Sequence, residues 1–310
     1  MVATTGFFDG VHLGHRAVLQ RVAERARAQG SASAVVTFWP HPRVILHRDA
    51  QKVRLLNALD EKQQRLRACG IDHIHVLPFT PAFAALSPEA FMREYLCGQF
   101  HISTLVVGYD HHLGRDAGAG YDRLRAIGRT TGIAVEQVPQ AYVADGEAGA
   151  QAVSSTKIRE ALAGGAIATA NRLLGYAYSL RGVVVEGQHL GRRLGFPTAN
   201  MQLYEPLKQL PANGVYATRV RLYDAVFMGM TNIGYRPTVQ PSGAARTVET
   251  HILDFCDDIY GQDFTLEFLD RIREERQFAS LDALTAQLKA DREEITNYEL
   301  RITESGYRRI

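Results

Sequence analysis

The chain has 310 residues, enough for two domains of ordinary size, with 46% hydrophobic and 22% charged residues, the make-up of a globular protein. Its 35 basic and 33 acidic residues nearly cancel, which argues against a dedicated nucleic-acid or membrane surface and leaves small molecules as the expected partners. Cys69, Cys97 and Cys256 are far apart and form no CxxC pair, no apolar run reaches the roughly 20 residues of a membrane span, and no signal peptide is expected. Disulfides and a structural zinc are therefore not expected, and a reducing cytoplasm is.

Val2–Thr5 reads as the tail of a strand, and residues ahead of it are expected to extend that strand. Further strands are predicted over 34–38, 75–78, 105–108 and 134–138, alternating with helices over 17–29, 61–69, 88–97 and 121–130. Val18, Leu19, Val22 and Ala26 recur at helical spacing, as do Leu124 and Ile127. This alternation predicts a Rossmann-like α/β domain with a parallel sheet, in which ligands bind at the carboxyl ends of the strands. From about Ser179 the rhythm changes. Strands rich in Val, Tyr, Phe and Thr are predicted over 180–186, 215–222, 225–232, 247–254 and 265–269, separated by turn residues and without long helices between them. They predict a small antiparallel β-barrel or sandwich, closed by a C-terminal helix whose apolar face carries Leu281, Leu284, Leu288 and Ile295. The expected domains are residues 1–177 and 178–310.

The first segment with chemical content is Gly6-Phe7-Phe8-Asp9-Gly10-Val11-His12-Leu13-Gly14-His15, which follows a strand and opens a helix. Glycines at such a junction admit a phosphate to the backbone, and the helix N-terminus offers free N–H groups and a positive dipole end. His12 and His15, three residues apart, can both donate to one phosphate and stabilise the charge that builds during attack. The same pair can equally be a surface feature or two ligands of a metal, although no third ligand stands at a recognisable spacing. Far along the chain, Val153-Ser154-Ser155-Thr156-Lys157-Ile158-Arg159 precedes a second helical run. Its hydroxyls can cap that helix or donate to phosphate oxygens, and Lys157 and Arg159 add positive charge.

Together, residues 6–15 and 153–159 resemble the HxGH and SSTxIR signatures of the nucleotidyltransferase superfamily. With Thr37-Phe38-Trp39-Pro40-His41-Pro42 between them, they resemble the amino-terminal module of the prokaryotic bifunctional riboflavin kinase/FMN adenylyltransferases, or FAD synthetases. The resemblance implies an adenylyltransferase site in which His12 and His15 are catalytic and contact the ATP phosphates. It further implies that Gly6, Phe8, Asp9, Gly14, Asp110, Ser154, Ser155, Thr156 and Arg159 bind ATP. Asp110-His111-His112-Leu113-Gly114 departs from the family's usual Asp-Phe-Arg-Phe-Gly, and Ala152 stands where an arginine often precedes the second motif. A histidine in place of an always-charged arginine predicts a slower or more pH-sensitive adenylyl transfer. The alternative expectation is thus a riboflavin kinase with a weakened or altered adenylyltransferase domain.

In the second half, Gly187, Gly191 and Gly195 punctuate the basic pair Arg192-Arg193 ahead of Phe196-Pro197-Thr198-Ala199-Asn200. A glycine-rich loop with arginines can wrap a nucleoside triphosphate, and the Thr198 hydroxyl and Asn200 amide oxygen are hard ligands suited to Mg²⁺. A polar barrel turn shaped by its proline is the other reading of the same residues. The run of 195–200, 213–216, 232–238, 249–255 and 258–261 resembles the riboflavin kinase module nearly end to end. That resemblance implies ATP binding by Gly191, Arg193, Thr198 and Asn200, Mg²⁺ on Thr198 and Asn200, Glu249 as catalytic base, and flavin contacts from Arg271 and Arg273. The implied chemistry is riboflavin plus ATP to FMN and ADP, then FMN plus ATP to FAD and pyrophosphate, with the flavins as substrates and products.

Overall fold

A computed structural model describes residues 1–46, 53–109, 120–144, 150–187, 190–235 and 246–304. The chain divides into two compact units, Met1–Thr156 and Lys157–Ile310.

The first unit runs β1 (Val2–Thr5), α1 (Leu13–Ala28), β2 (Ser33–Trp39), α2 (Pro42–Leu46), α3 (Leu59–Ala68), β3 (His73–Pro78), α4 (Pro81–Ala84) and α5 (Pro88–Phe91). A π-helix (Met92–Gln99), β4 (Thr104–Val107), α6 (Tyr121–Thr131), β5 (Ala134–Gln137) and the antiparallel pair β6 (Tyr142–Ala144) and β7 (Ala150–Ala152) follow. Strands β1 to β5 form one parallel sheet in the order β3-β2-β1-β4-β5. Because side chains alternate across a strand, Val2, Val35 and Val106 face Val18, Leu19, Val22 and Ala26 of α1, while Ala3, Val36, Leu105 and Val107 face Phe91, Met92, Leu96, Leu124 and Ile127. Both faces are therefore dry, as a parallel sheet requires. Burial of each such aliphatic side chain stabilises the fold by about 1.5–3 kcal/mol. The sheet builds outward from β1 to β2 and β3, then returns to the other side of β1 for β4, which leaves a crevice at the carboxyl ends of β1 and β4.

The helix expected over 88–97 starts as one α-turn, where Ser87 Oγ accepts from Ala90 N at 3.1 Å, and continues as the π-helix. Its wider turn is closed by Phe100 N donating to Tyr95 O at 2.9 Å.

Helix α7 (Ser155–Ala163) begins in the first unit and continues in the second. The second unit continues with α8 (Ile167–Leu174), β8 (Ser179–Val185), α9 (Leu190–Arg193), β9 (Ala199–Leu203), β10 (Gly214–Leu222), β11 (Ala225–Tyr235), β12 (Arg246–Ile252), β13 (Asp263–Arg273) and α10 (Leu281–Glu304). Its six strands close an antiparallel barrel in the order β10-β11-β12-β9-β8-β13. The change of rhythm near residue 178 marks the first barrel strand, whereas the compact unit starts earlier. Ahead of that strand, Asn171 on α8 donates to Phe268 O at 2.8 Å and accepts from Tyr178 N at 2.7 Å, and Ala212 N donates to Leu162 O at 2.8 Å. These bonds commit α7 and α8 to the barrel.

Strand β9 was not expected, since Pro197 and Asn200 read as turn residues. Pairing with β8 and β12 on both sides makes it a strand. Inside the barrel the hydroxyls of Thr218, Thr231 and Thr250 satisfy one another at 2.8 and 2.9 Å, so three β-branched polar residues are buried without an orphan oxygen. One correction concerns α10. Leu281 is 58% exposed, and the apolar face starts later, with Leu288, Ile295 and Tyr298 against Phe196, Val215, Met228 and Met230.

Candidate active sites

Strand β1 ends at the crevice, and residues 6–12 must turn the chain into α1. They do so through left-handed backbone at Phe8 (φ 55°), Gly10 (φ 86°) and Val11 (φ 37°). For Phe and Val that geometry costs about 1–3 kcal/mol each, so it persists only when the surroundings over-determine it. They do. The Asp9 carboxylate accepts from Leu56 N at 2.9 and 3.1 Å and from Asn57 N at 3.1 Å, and the Phe7 carbonyl accepts from Thr37 Oγ1 at 3.2 Å and Lys62 Nζ at 3.1 Å.

His12 is the N-cap of α1. Its Nδ1 accepts from His15 N at 3.2 Å, which leaves the proton of the neutral ring on Nε2. The His12 and His15 rings stack at 3.6 Å and 13°, and Phe8 meets His15 edge-on at 5.1 Å. Burial first, then the repulsion a protonated His12 would exert and the charge of Lys62, hold His15 well below the ordinary histidine range. It is a neutral imidazole near pH 7, and its buried Nδ1 has no hydrogen-bond partner among the described residues. A side chain at position 14 would put Cβ 3.1 Å from the His12 ring and 3.6 Å from the Val153 carbonyl, which explains the glycine between the two histidines.

The second motif arrives at the same place. Ser155 Oγ donates to the Asp9 carbonyl at 2.8 Å, joining segments 146 residues apart. Helix α7 starts at Ser155, earlier than the expected helical run, so Ser155 and Thr156 form its first turn. Gly6, Phe8, His12, Gly14, His15, Ser154, Ser155 and Thr156 all line one cavity of about 920 Å³. Asp9 is not among the lining residues, and its carboxylate, bonded to the 56–57 amides, anchors the loop; an ATP contact from Asp9 stays a proposal. Arg159 lies one turn on in α7. Asp110, with the His111–Gly114 departure, lies outside the described residues.

Two features of this cavity were not anticipated. Its far wall is aromatic: Phe38, Phe79, Phe83 and Phe91 contact one another at 5.3–6.2 Å between ring centroids. Their sequence positions carry no shared period, so only the fold assembles them. Behind the wall, Lys62 on α3 is 1% exposed, and burial lowers its pKa to about 8 against the attraction of Asp9. A lysine in the charged run 60–65 reads as solvated, so the sequence gives no sign of its burial.

In the barrel, strand register does the assembling. Glu249 on β12 pairs with Asn232 on β11 and with Asn200 on β9, so the carboxylate has an amide side chain on either side, on one face. Asn200 is buried against Gly187, where a Cβ would collide with its amide group. On β12, His251 shares a hydrogen bond with the Pro197 carbonyl through Nδ1 at 2.8 Å, fixing the residue ahead of Thr198. Thr198 and Arg192 line a smaller cavity of about 160 Å³ with Phe255, Cys256 and Tyr260. Arg192, rather than the expected Arg193, faces it, and Gly191 lies in α9 with its carbonyl accepting from Phe196 N at 2.8 Å.

Arg271 and Arg273 both hold other parts of the barrel. Arg273 grips the buried Asp291 of α10 with Nε and Nη2 at 2.8–3.0 Å, and Arg271 Nη2 donates to the Asn213 carbonyl at 2.6 Å. These guanidiniums tie the barrel together, and the flavin contact expected of them stays a proposal.

A parallel sheet whose switch-point crevice gathers a stacked histidine pair and two helix N-termini, followed by a closed barrel presenting a carboxylate between amides, defines a two-domain phosphate-transferring enzyme. Comparison with known proteins sharpens that class. Residues 1–157 match the family model for FAD synthetase, and residues 174–299 match that for riboflavin kinase. The bifunctional riboflavin kinase/FMN adenylyltransferase of Pseudomonas fluorescens is 40% identical over 94% of this chain and 90% of its own, and that of Listeria monocytogenes is 36% identical with the same coverage. A crystal structure from Streptococcus pneumoniae, described as a macrolide-efflux protein, superposes with a TM-score of 0.85 at 32% identity, covering 95% of this chain and 93% of its own. Among the described residues of this chain, no helix is long and apolar enough to cross a membrane. The chain belongs to the bifunctional riboflavin kinase/FMN adenylyltransferase family. It carries both catalytic domains, and nothing in these matches favours a kinase with a reduced front half.

Proposed function

We propose that residues 1–177 adenylylate FMN in the 920 Å³ cavity and that residues 178–310 phosphorylate riboflavin beside Glu249. The observation that carries the first assignment is the Ser155–Asp9 hydrogen bond, which brings both phosphate-binding motifs to one cavity. ATP phosphates lie over residues 6–15, where the α1 N-terminus and the neutral His12 and His15 rings offer N–H donors to the α-phosphate under attack. Ser154, Ser155, Thr156 and Arg159 take the departing pyrophosphate. The aromatic wall takes the flavin ring, since a large planar apolar group gains most against faces and edges of Phe38, Phe79 and Phe83. No covalent enzyme intermediate is required, because positioning and charge neutralisation carry phosphoryl-type transfer.

In the barrel, Glu249 accepts the proton of the ribityl 5′-hydroxyl as that oxygen attacks the γ-phosphate. Thr198 and Asn200 suit Mg²⁺, and the Gly187 notch that seats the Asn200 amide supports that fit. When bound, the ion would neutralise phosphate charge. The three cysteines are free, which agrees with a reducing cytoplasm as the place of action.

Incubation of the protein with riboflavin, ATP and Mg²⁺, followed by chromatography over time, is expected to show FMN and then FAD. FMN that accumulates without FAD in the presence of excess ATP would remove adenylyl transfer from the first unit.

A further inference from the structure

We infer that Lys62 is a positioning residue for adenylyl transfer, holding the phosphate loop from behind and supplying a fixed positive charge to it. The inference rests on the assignment of that step to the first-unit cavity. Lysine is almost never fully buried unless paired, and here a methionine would fill similar space without the desolvation cost. Yet the Lys62 ammonium sits 1% exposed with three neutral oxygen partners: the Phe7 carbonyl at 3.1 Å, Thr37 Oγ1 at 3.1 Å and the Phe38 carbonyl at 3.3 Å. It also lies 3.9 Å from the centroid of the Phe7 ring. All three donor sites are thereby used, and two of the residues they hold, Phe7 and Phe38, line the cavity.

The geometry joins the phosphate loop to the end of β2. A trans peptide directs its C=O and N–H in opposite senses, so holding the Phe7 carbonyl fixes the direction of the Phe8 N–H at the position where the backbone is left-handed. The charge itself has a second effect. The titratable groups that face it are Asp9, which attracts it, and His15, which it helps keep neutral after burial and His12. The Asp9 carboxylate is bonded to the Leu56 and Asn57 amides, which share its charge, so it offsets only part of the Lys62 field and the remainder acts on anionic phosphates on the other side of the loop.

The wild-type enzyme provides a test that needs no variant. Burial places the Lys62 pKa near 8, so FMN-to-FAD conversion is expected to fall as pH rises through about 8, while riboflavin phosphorylation by the same molecules shows no matching inflection. Lys62→Met should lower FAD formation about tenfold or more, remove that inflection and let the His15 ring titrate closer to the ordinary range by NMR. Lys62→Arg, which keeps a charge, should recover most of the rate and move the inflection out of reach. If Lys62→Met does not fold, the wild-type profile and Lys62→Arg decide. A folded Lys62→Met with the wild-type rate and pH profile overturns the inference, as does a loss that leaves His15 titration unchanged and is not recovered by arginine. His15→Ala run in parallel separates the two levels. If it leaves FAD formation intact, the cavity assignment fails, whereas its loss beside an unaffected Lys62→Met defeats only the role of Lys62.

Discussion

On the proposed assignment, the two catalytic regions receive phosphate in different ways. In the α/β unit the donors come largely from main-chain geometry: two helix N-termini and a loop with left-handed Phe8 and Val11, beside a stacked histidine pair in which His15 is kept neutral by burial. The cavity there is large, about 920 Å³. In the barrel the groups are side chains brought into line by strand register, Asn232, Glu249 and Asn200, beside a concavity of about 160 Å³. The contrast follows from the chemistry. Adenylyl transfer to FMN uses a nucleophile that is already a phosphate and needs no base, so the protein supplies orientation and a fixed field. Phosphorylation of riboflavin starts from a hydroxyl, whose proton needs a carboxylate.

The comparison can be broken most sharply at His15. His15→Ala is expected to slow FMN-to-FAD conversion by about 10²–10³-fold, the usual effect of deleting one transition-state donor, while FMN formation stays within about twofold. Steady-state product analysis from each flavin reads both rates, and an equal loss of both would erase the distinction between the regions. A second test asks whether the barrel's arginines bind flavin or hold the fold. Arg273→Ala strands the 1%-exposed Asp291 carboxylate, so denaturant unfolding of the barrel should show a loss of about 3–5 kcal/mol. The riboflavin KM should change little under conditions where the variant is folded. A raised KM with unchanged stability would return Arg273 to the flavin site. The smallest effect expected is a pH dependence peculiar to the first unit. His15 is held below its ordinary pKa, so as pH falls below about 6.5 the unfolded chain binds a proton that the folded chain refuses. Stability from this group is therefore full above that range and declines with acidification. His15→Gln should flatten the acid limb of a thermal-unfolding series, and an unchanged limb would show that His15 titrates normally.

How far each region could be read in advance follows the same divide. Local signals were legible: the Val2–Thr5 strand, the α1 stripe and the two phosphate motifs announced themselves through periodicity and helix-start chemistry. What depends on a distant partner was not. Asp291 interrupts the apolar face of α10, and its charge is met by Arg273, 18 residues earlier on β13, together with a hydrogen bond from Gln287 one turn back. Lys62 sits in a charged helical run that looks solvated, and its burial is decided by the Phe7 and Phe38 carbonyls. Strand β9 looked like a turn because Pro197 and Asn200 favour turns, and its pairing comes from β8 and β12. Asp9 was legible as part of a motif, but its bonds to the Leu56 and Asn57 amides were not, since motif membership does not reveal which way a side chain turns.

The division of labour between the two regions is tested most directly by Glu249→Ala supplied with each flavin in turn, with ATP and Mg²⁺, and assayed by chromatography. The account predicts no FMN or FAD from riboflavin but FAD from FMN at the wild-type rate. Loss of FAD formation from FMN in the folded variant, or FMN formation from riboflavin at an undiminished rate, would contradict it.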